Sequence, residues 1–418
     1  FIVISNKTTI YMKILKSSLL TIVFLTGFLT WTTAQRTENF KTPQYEFKTA
    51  MDLFSNEKFG SAQQYFKQVY EKTTDMQQDL HTNSYFYMGV CAEKLDNPDA
   101  AYLLQGFIHR YPVHSYVPEA RYYLGRHYFS RKQWKKVIAQ YELIYENEIQ
   151  PENVAEYQFK KGYSYFMTSD YERAKSLFKQ ARESSGPYKL RSIYYLGYMA
   201  YQDGQYEAAL EDFLILKDEP EYNKDVPAFL TQIYFKQGEY EKVLDVAPKI
   251  TSFNDPTQLQ SLRCVAISQY ALNQYEDAAN NFDRLLSSDK IILDRNDNFA
   301  AGFTYYRTGR YADAVNCFSK SINDKNPDMM TQNSYYLIGD CYRRSKQENL
   351  AIQAFKEASK LDFNADIKED ALYNYAKLQC QTSTSPFNNG IEALQEYSNR
   401  YPHSSRSEEV SSYLSKLY

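Results

Sequence analysis

The sequence predicts an all-α chain built from repeated antiparallel helix pairs. Three observations carry this reading. First, 418 residues exceed what a single hydrophobic core usually holds, which favours an array or several domains. Second, the chain has 41 tyrosines but only 14 glycines and 13 prolines, a balance that suits helices packed through aromatic rings and disfavours disorder. Third, one pattern of large and small residues returns every 34 to 39 residues from Phe59 onward.

The stretch Tyr194–Phe213 shows the unit at its clearest. Leu196, Gly197, Ala200 and Tyr201 share one side of a first helix. Asp203-Gly204-Gln205 ends it, because glycine accepts the left-handed conformation that a helix end requires. Tyr206, Ala209, Leu210 and Phe213 then recur three and four residues apart, as one buried helical face demands.

In chain order, Phe1–Tyr11 read as upstream residues. Met12-Lys13-Ile14-Leu15-Lys16 gives a basic start, Leu19–Leu29 is apolar, and Thr32-Thr33-Ala34 offers small residues before Gln35. That is the layout of a secretory signal peptide cut after Ala34. The alternative is an uncleaved anchor, since Ile14–Trp31 is about long enough to span a bilayer. No cysteine follows at once, so an acyl-anchored lipoprotein is not supported. Residues 1–34 are therefore leader and upstream sequence, and residues 35–418 are the array of about ten repeats.

Each second helix opens on Phe59, Trp134, Tyr171, Tyr206, Tyr240, Tyr275 or Tyr311, with Pro98 and Glu348 in two divergent copies. Three residues on comes Ala62, Ala101, Val137, Ala174, Ala209, Val243, Ala278, Ala314 or Ala351. Four further on comes Phe66, Tyr141, Phe178, Phe213, Phe282, Phe318 or Phe355, with Gln105 and Ala247 as exceptions. The first helices carry Gly89, Gly125, Gly162, Gly197, Gly302 and Gly339 in register, with Ala50, Thr231 and Ala266 in the other copies. Asp218–Val226 and Thr251–Gln258 read as polar inter-repeat turns. A tenth copy around Ala371–Tyr397 has its inter-helix turn lengthened by Gln381–Asn389, a modest entropic burden. Ser407–Tyr418, striped by Val410, Tyr413, Leu414 and Leu417, is expected to be a first helix whose partner lies past Tyr418; a natural capping helix is the alternative.

This pattern resembles the tetratricopeptide repeat family, from about Gln44 to the end of the chain. Arg110-Tyr111-Pro112-Val113-His114-Ser115 and Arg400-Tyr401-Pro402-His403-Ser404 add a Tyr-Pro flavour, with proline stopping one helix and serine capping the next. That flavour is similar to repeats of secreted and periplasmic proteins of Gram-negative bacteria that serve outer-membrane assembly and envelope division. The resemblance implies an α-solenoid coiled as a right-handed superhelix, because one helix pair cannot bury its apolar face alone. It also implies that first helices line the concave side and second helices the outside.

Little in the residues points to chemistry. The net charge is −3 with acids and bases interspersed, which argues against a nucleic-acid partner. No zinc-protease pairing, phosphate loop or nucleophile elbow is visible, so no enzymatic activity, cofactor or metal is expected. His109, His114 and His127 lie within one repeat junction without the spacing of a ligand set. Asp and Glu, spread along helix faces, read as solvated surface. The five cysteines read as small core residues, with Cys317 and Cys341 the one pair to check for a bond.

The expected function is a non-catalytic protein-interaction scaffold of the cell envelope, exported to the periplasm or the outer membrane. Membrane contact would come only through the N-terminal segment, if uncleaved. Counting three before, one after and four after each glycine gives Phe159, Tyr163 and Phe166, then Tyr194, Tyr198 and Tyr201, then Phe299, Phe303 and Tyr306. These nine residues are expected to line an aromatic groove for an extended peptide or a helix, since rings give rigid contact area. Lysine and asparagine are absent there, which disfavours a carboxylate clamp of the kind the family uses on chaperone tails. A glycan-capturing surface protein, or the sensor half of a larger regulator, are the alternatives. The opposing expectation is that these rings pack against adjacent repeats, as aromatic stripes at helical spacing often do.

Overall fold

The computed structural model describes residues 42–74, 78–249, 255–381 and 388–418. The leader-like stretch therefore lies outside the described residues, as do parts of Thr251–Gln258 and Gln381–Asn389. Among the described residues all regular structure is helical, in twenty-one α-helices and a few 3-10 turns.

The first helices are α1 (Pro43–Ser55), α3 (Gln78–Lys94), α5 (Val117–Ser130), α7 (Pro151–Met167), α9 (Pro187–Gln202), α11 (Val226–Gln237), α13 (Pro256–Ala271), α15 (Arg295–Arg307), α17 (Met329–Arg344), α19 (Ala365–Gln381) and α21 (Ser407–Leu417). The second helices are α2 (Phe59–Lys72), α4 (Ala100–Arg110), α6 (Trp134–Tyr141), α8 (Tyr171–Arg182), α10 (Tyr206–Leu216), α12 (Tyr240–Val246), α14 (Tyr275–Leu286), α16 (Tyr311–Ser321), α18 (Glu348–Lys360) and α20 (Asn388–Arg400). The chain divides into two compact units, one ending at Met199 and the other starting at Ala200, within α9. Inside each unit a helix packs on its immediate neighbours, and first helices also touch the next first helix. No helix among the described residues is long and apolar enough to cross a membrane.

The glycines in register explain how each pair closes. An added methyl at Gly302 would lie 2.7 Å from Phe318, and one at Gly339 would lie 2.8 Å from Phe355. Such contacts are below van der Waals distance, so the ring of the second helix occupies the space a side chain would need. The turns that follow eight of the first helices are equally regular. Lys58, Gln133, Asp170, Gln205, Glu239, Gln274, Arg310 and Gln347 donate their amides back to the fifth preceding carbonyl, at 2.8–2.9 Å. The preceding residue is left-handed in every case, as a Schellman end demands. Gly204, Gly238 and Gly309 suit that conformation, whereas Glu57, Lys132, Ser169, Asn273 and Lys346 adopt it at a steric cost.

Three readings need correction. In the second copy the buried small–large pair is Ala100 and Leu104, one residue before Ala101 and Gln105. An apolar side chain has to meet Gly89, and Leu104 does so while Gln105 faces solvent. In the first Tyr-Pro turn Ser115 does not cap the helix: the N-cap of α5 is Tyr116, without a side-chain cap bond, and His114 Nδ1 accepts the Tyr116 amide at 3.1 Å. Ser404 takes the matching place in the second turn, accepting from the Arg406 amide at 3.3 Å. The polar turn Asp218–Val226 contains a 3-10 segment, Pro220–Tyr222, that buries Tyr222.

Candidate functional site

Positions on a first helix are best counted from its glycine. The residue three before shares the glycine's face and meets the same ring of the second helix. Phe159 lies 5.8 Å from Phe178, and Phe299 lies 5.5 Å from Phe318. Tyr122 on Tyr141 and Tyr336 on Phe355 repeat the contact at 6.2 and 5.6 Å. Phe159 is only 5% exposed and belongs to the core of its pair. Tyr194 is half-buried, edge-on to Tyr195 at 5.3 Å.

Residues one and four after the glycine behave differently. They are half-buried and reach toward a neighbouring first helix. In the first unit the Tyr163 ring is 5.5 Å from Phe129, 5.4 Å from Trp134 and 5.1 Å from Tyr195. Phe166 follows, 5.3 Å from Tyr195 and 6.0 Å from Tyr198. In the second unit Phe303 lies 5.9 Å from Tyr270. The Tyr306 hydroxyl donates to Asp340 at 2.6 Å, and Arg344 sits over the Tyr306 ring at 5.4 Å. Tyr201 packs edge-on against Phe229 at 5.2 Å and donates to Gln232 at 2.6 Å. The structure thus groups Tyr163, Phe166 and Tyr198 in the first unit, and Phe303 with Tyr306 in the second.

Beside these rings runs a set of charges, and the expectation that acids on the helix faces are solvated does not hold for them. Arg126 Nε lies 3.1 Å from Glu93 and 3.2 Å from Glu156, and Lys160 Nζ lies 2.5 Å from Glu156. The Glu93 and Glu156 side chains are 8% and 13% exposed. Lys160 also sits over the Phe129 ring at 5.2 Å, which joins the charged rung to the aromatic one. Burial pushes the Glu93 carboxyl up, against the pull of Arg126. Burial also works to raise Glu156, but Lys160 and Arg126 outweigh it and hold its carboxyl low.

The second unit repeats the device with other partners. Arg263 Nε pairs with the buried Asp297 at 2.6 Å. Arg295 grips Asp328 with two bonds of 2.6 and 2.5 Å and also donates to Thr331 at 2.8 Å. Asp370 accepts from the Tyr336 hydroxyl and from Arg406, both at 2.5 Å. Each of these bonds joins one first helix to the next, about one repeat away in sequence. Pairing a charge with the residue one repeat on would have found them: Glu93 and Arg126 are such a pair.

Among the described residues no group of three or more His, Cys, Asp or Glu could hold a metal ion. All five cysteines are free; Cys91, Cys264, Cys317 and Cys341 are buried and Cys380 is half-buried. Cys317 and Cys341 share one core cluster without a bond between them. Burial pushes the thiols of Cys91 and Cys341 up to about 12, which suits packing and not reactivity.

Three stretches match models of the tetratricopeptide repeat: residues 83–112, 159–223 and 332–364. No curated protein matches the chain. Among solved structures it is similar to a tetratricopeptide repeat protein from Parabacteroides merdae ATCC 43184, at 15% identity and a TM-score of 0.35, over 62% of this chain and 98% of that one. It is also similar to the TPR domain of P58(IPK), at 13% identity and a TM-score of 0.23, over 90% of this chain and 97% of that one.

Proposed function

From a chain that carries tetratricopeptide repeats, we propose a non-catalytic protein-interaction scaffold whose first-helix rows take an extended or helical partner segment. The observation that carries this is the half-buried row of Tyr163, Phe166 and Tyr198 beside the Arg126–Glu156–Lys160 rung, with Phe303 and Tyr306 as its counterpart in the second unit. Such a surface offers rigid apolar area with polar groups along its edge, the combination that recognition of a peptide requires. The same reading places the protein in the cell envelope, on the leader-like stretch Met12–Ala34.

A crosslinking pull-down from envelope fractions tests both parts. Wild type is expected to capture a defined partner set. Tyr163→Ala combined with Phe303→Ala is expected to lose it while circular dichroism still reports a folded helical chain. Capture of the same set by the folded variant would sink the row as the binding surface. Recovery of the protein in the cytosolic fraction alone would sink the location.

A further inference from the structure

A second surface in the first unit is unlike the row. The turn between α5 and α6 and the turn between α7 and α8 flank an open surface pocket of about 600 Å³. Its walls are Lys132, Lys135 and Lys136, and its apolar floor is Trp134 and Met167. This volume is in the range of pockets that hold a small ligand or a few side chains. No acidic side chain lines it. The three lysines are exposed, and none forms an ion pair with any described residue. Lys136 is steadied over the Tyr128 ring at 5.2 Å. Gln133 makes no side-chain bond to the first-turn amides of α6, so the positive end of that helix adds to the field. Met167 is 44% exposed, which leaves apolar surface open between the amines.

We propose that this pocket binds an acidic peptide segment, with carboxylates on the lysines and an aliphatic side chain on Trp134 and Met167. Charge complementarity fixes the sign of the occupant, and the apolar floor asks for more than a bare anion. The neighbouring turns favour a short segment over an anionic membrane. On one side stands Asp96, held by Arg131 at 2.9 Å; on the other stands Asp170, held by Arg173 at 2.5 Å. An extended anionic surface would meet those carboxylates as well, and they would repel it.

Trp134 is one of only two tryptophans, so it is the sole indole reporter once Trp31 is replaced, and because its ring also lies 5.4 Å from Tyr163 the lysine variants below separate the pocket from the row. The test uses the full chain carrying Trp31→Phe, titrated with a blocked short peptide of alternating leucine and glutamate. A saturable change in Trp134 emission is expected, weakened when salt is raised to about 0.5 M. Lys135→Glu with Lys136→Glu should weaken binding roughly tenfold or more, and Lys135→Gln with Lys136→Gln should fall between. Both pairs are exposed, and circular dichroism checks that the fold is kept. The proposal is overturned by no saturable change, or by equal affinity for the glutamine version of the peptide. It is also overturned by unaltered binding in the charge-reversed variant. An equal response to inorganic phosphate would mark a plain anion site, and one confined to phosphatidylserine vesicles a membrane contact; either result replaces the peptide.

Discussion

Glu119 of α5 is a carboxylate in the wrong surroundings. Burial and the neighbouring Glu152 both push its carboxyl up from the usual range. A carboxyl that is raised in the fold holds its proton longer there than in the unfolded chain. Stability therefore falls as pH rises past the unfolded value, and below that value both states are protonated and nothing is lost. Glu119→Gln removes the charge while keeping the shape. We predict a variant at least as stable as wild type at pH 7, with the difference fading as pH drops below about 4. Thermal melts of both proteins across that range check it. A variant less stable at pH 7 would mean that the carboxylate has a favourable partner in the fold.

At the level of elements, the helix pair is set by steric fit more than by propensity. Ala209 is fully buried in α10, on the face that also carries Phe213 and Leu216. Ala209→Trp puts a large ring where two helices approach, and should cost at least about 1–3 kcal/mol through strain and displaced neighbours. Circular dichroism melting reads the loss, and an unchanged curve would show that α10 can rotate to present residue 209 to solvent. This fit is what made the elements legible in the sequence. A small residue three after the opener and a ring four later can be read from one helix alone, and glycine in the first helix names the other half of the contact. The helix ends at Gly204, Gly238 and Gly309 are legible for a different reason, the left-handed conformation that glycine accepts. Lys132, Ser169 and Lys346 adopt the same left-handed turn without announcing it, because there the required backbone hydrogen bonds override residue preference. The slip to Ala100 and Leu104 was hidden because counting assumes a turn of constant length. The site was half legible. Periodicity marks Tyr163 and Phe303 as facing a neighbour. It cannot tell that Glu93 and Glu156 are largely shielded and Asp297 buried, since each is paired with an arginine about one repeat away.

At the largest scale, the described helices of each unit pack chiefly on elements close to them in the chain, so stability is approximated by a sum of local pair and neighbour terms. Damage should therefore stay near its source within a unit. Gly302 makes the sharpest test, because its neighbour Phe318 leaves no room for a side chain. Gly302→Ile should separate α15 from α16 and weaken the layers that lean on them, through Phe299 on Phe318 and Tyr306 on Asp340. Native-state hydrogen exchange is the fitting measurement, since it resolves opening segment by segment. Faster exchange is expected in α15 and α16, with smaller increases in α14 and α17, while α1 to α7 keep their wild-type protection. Acceleration spread evenly over the chain would mean that the molecule opens as one cooperative body, and nearest-neighbour additivity would then fail as a description of how it is held together.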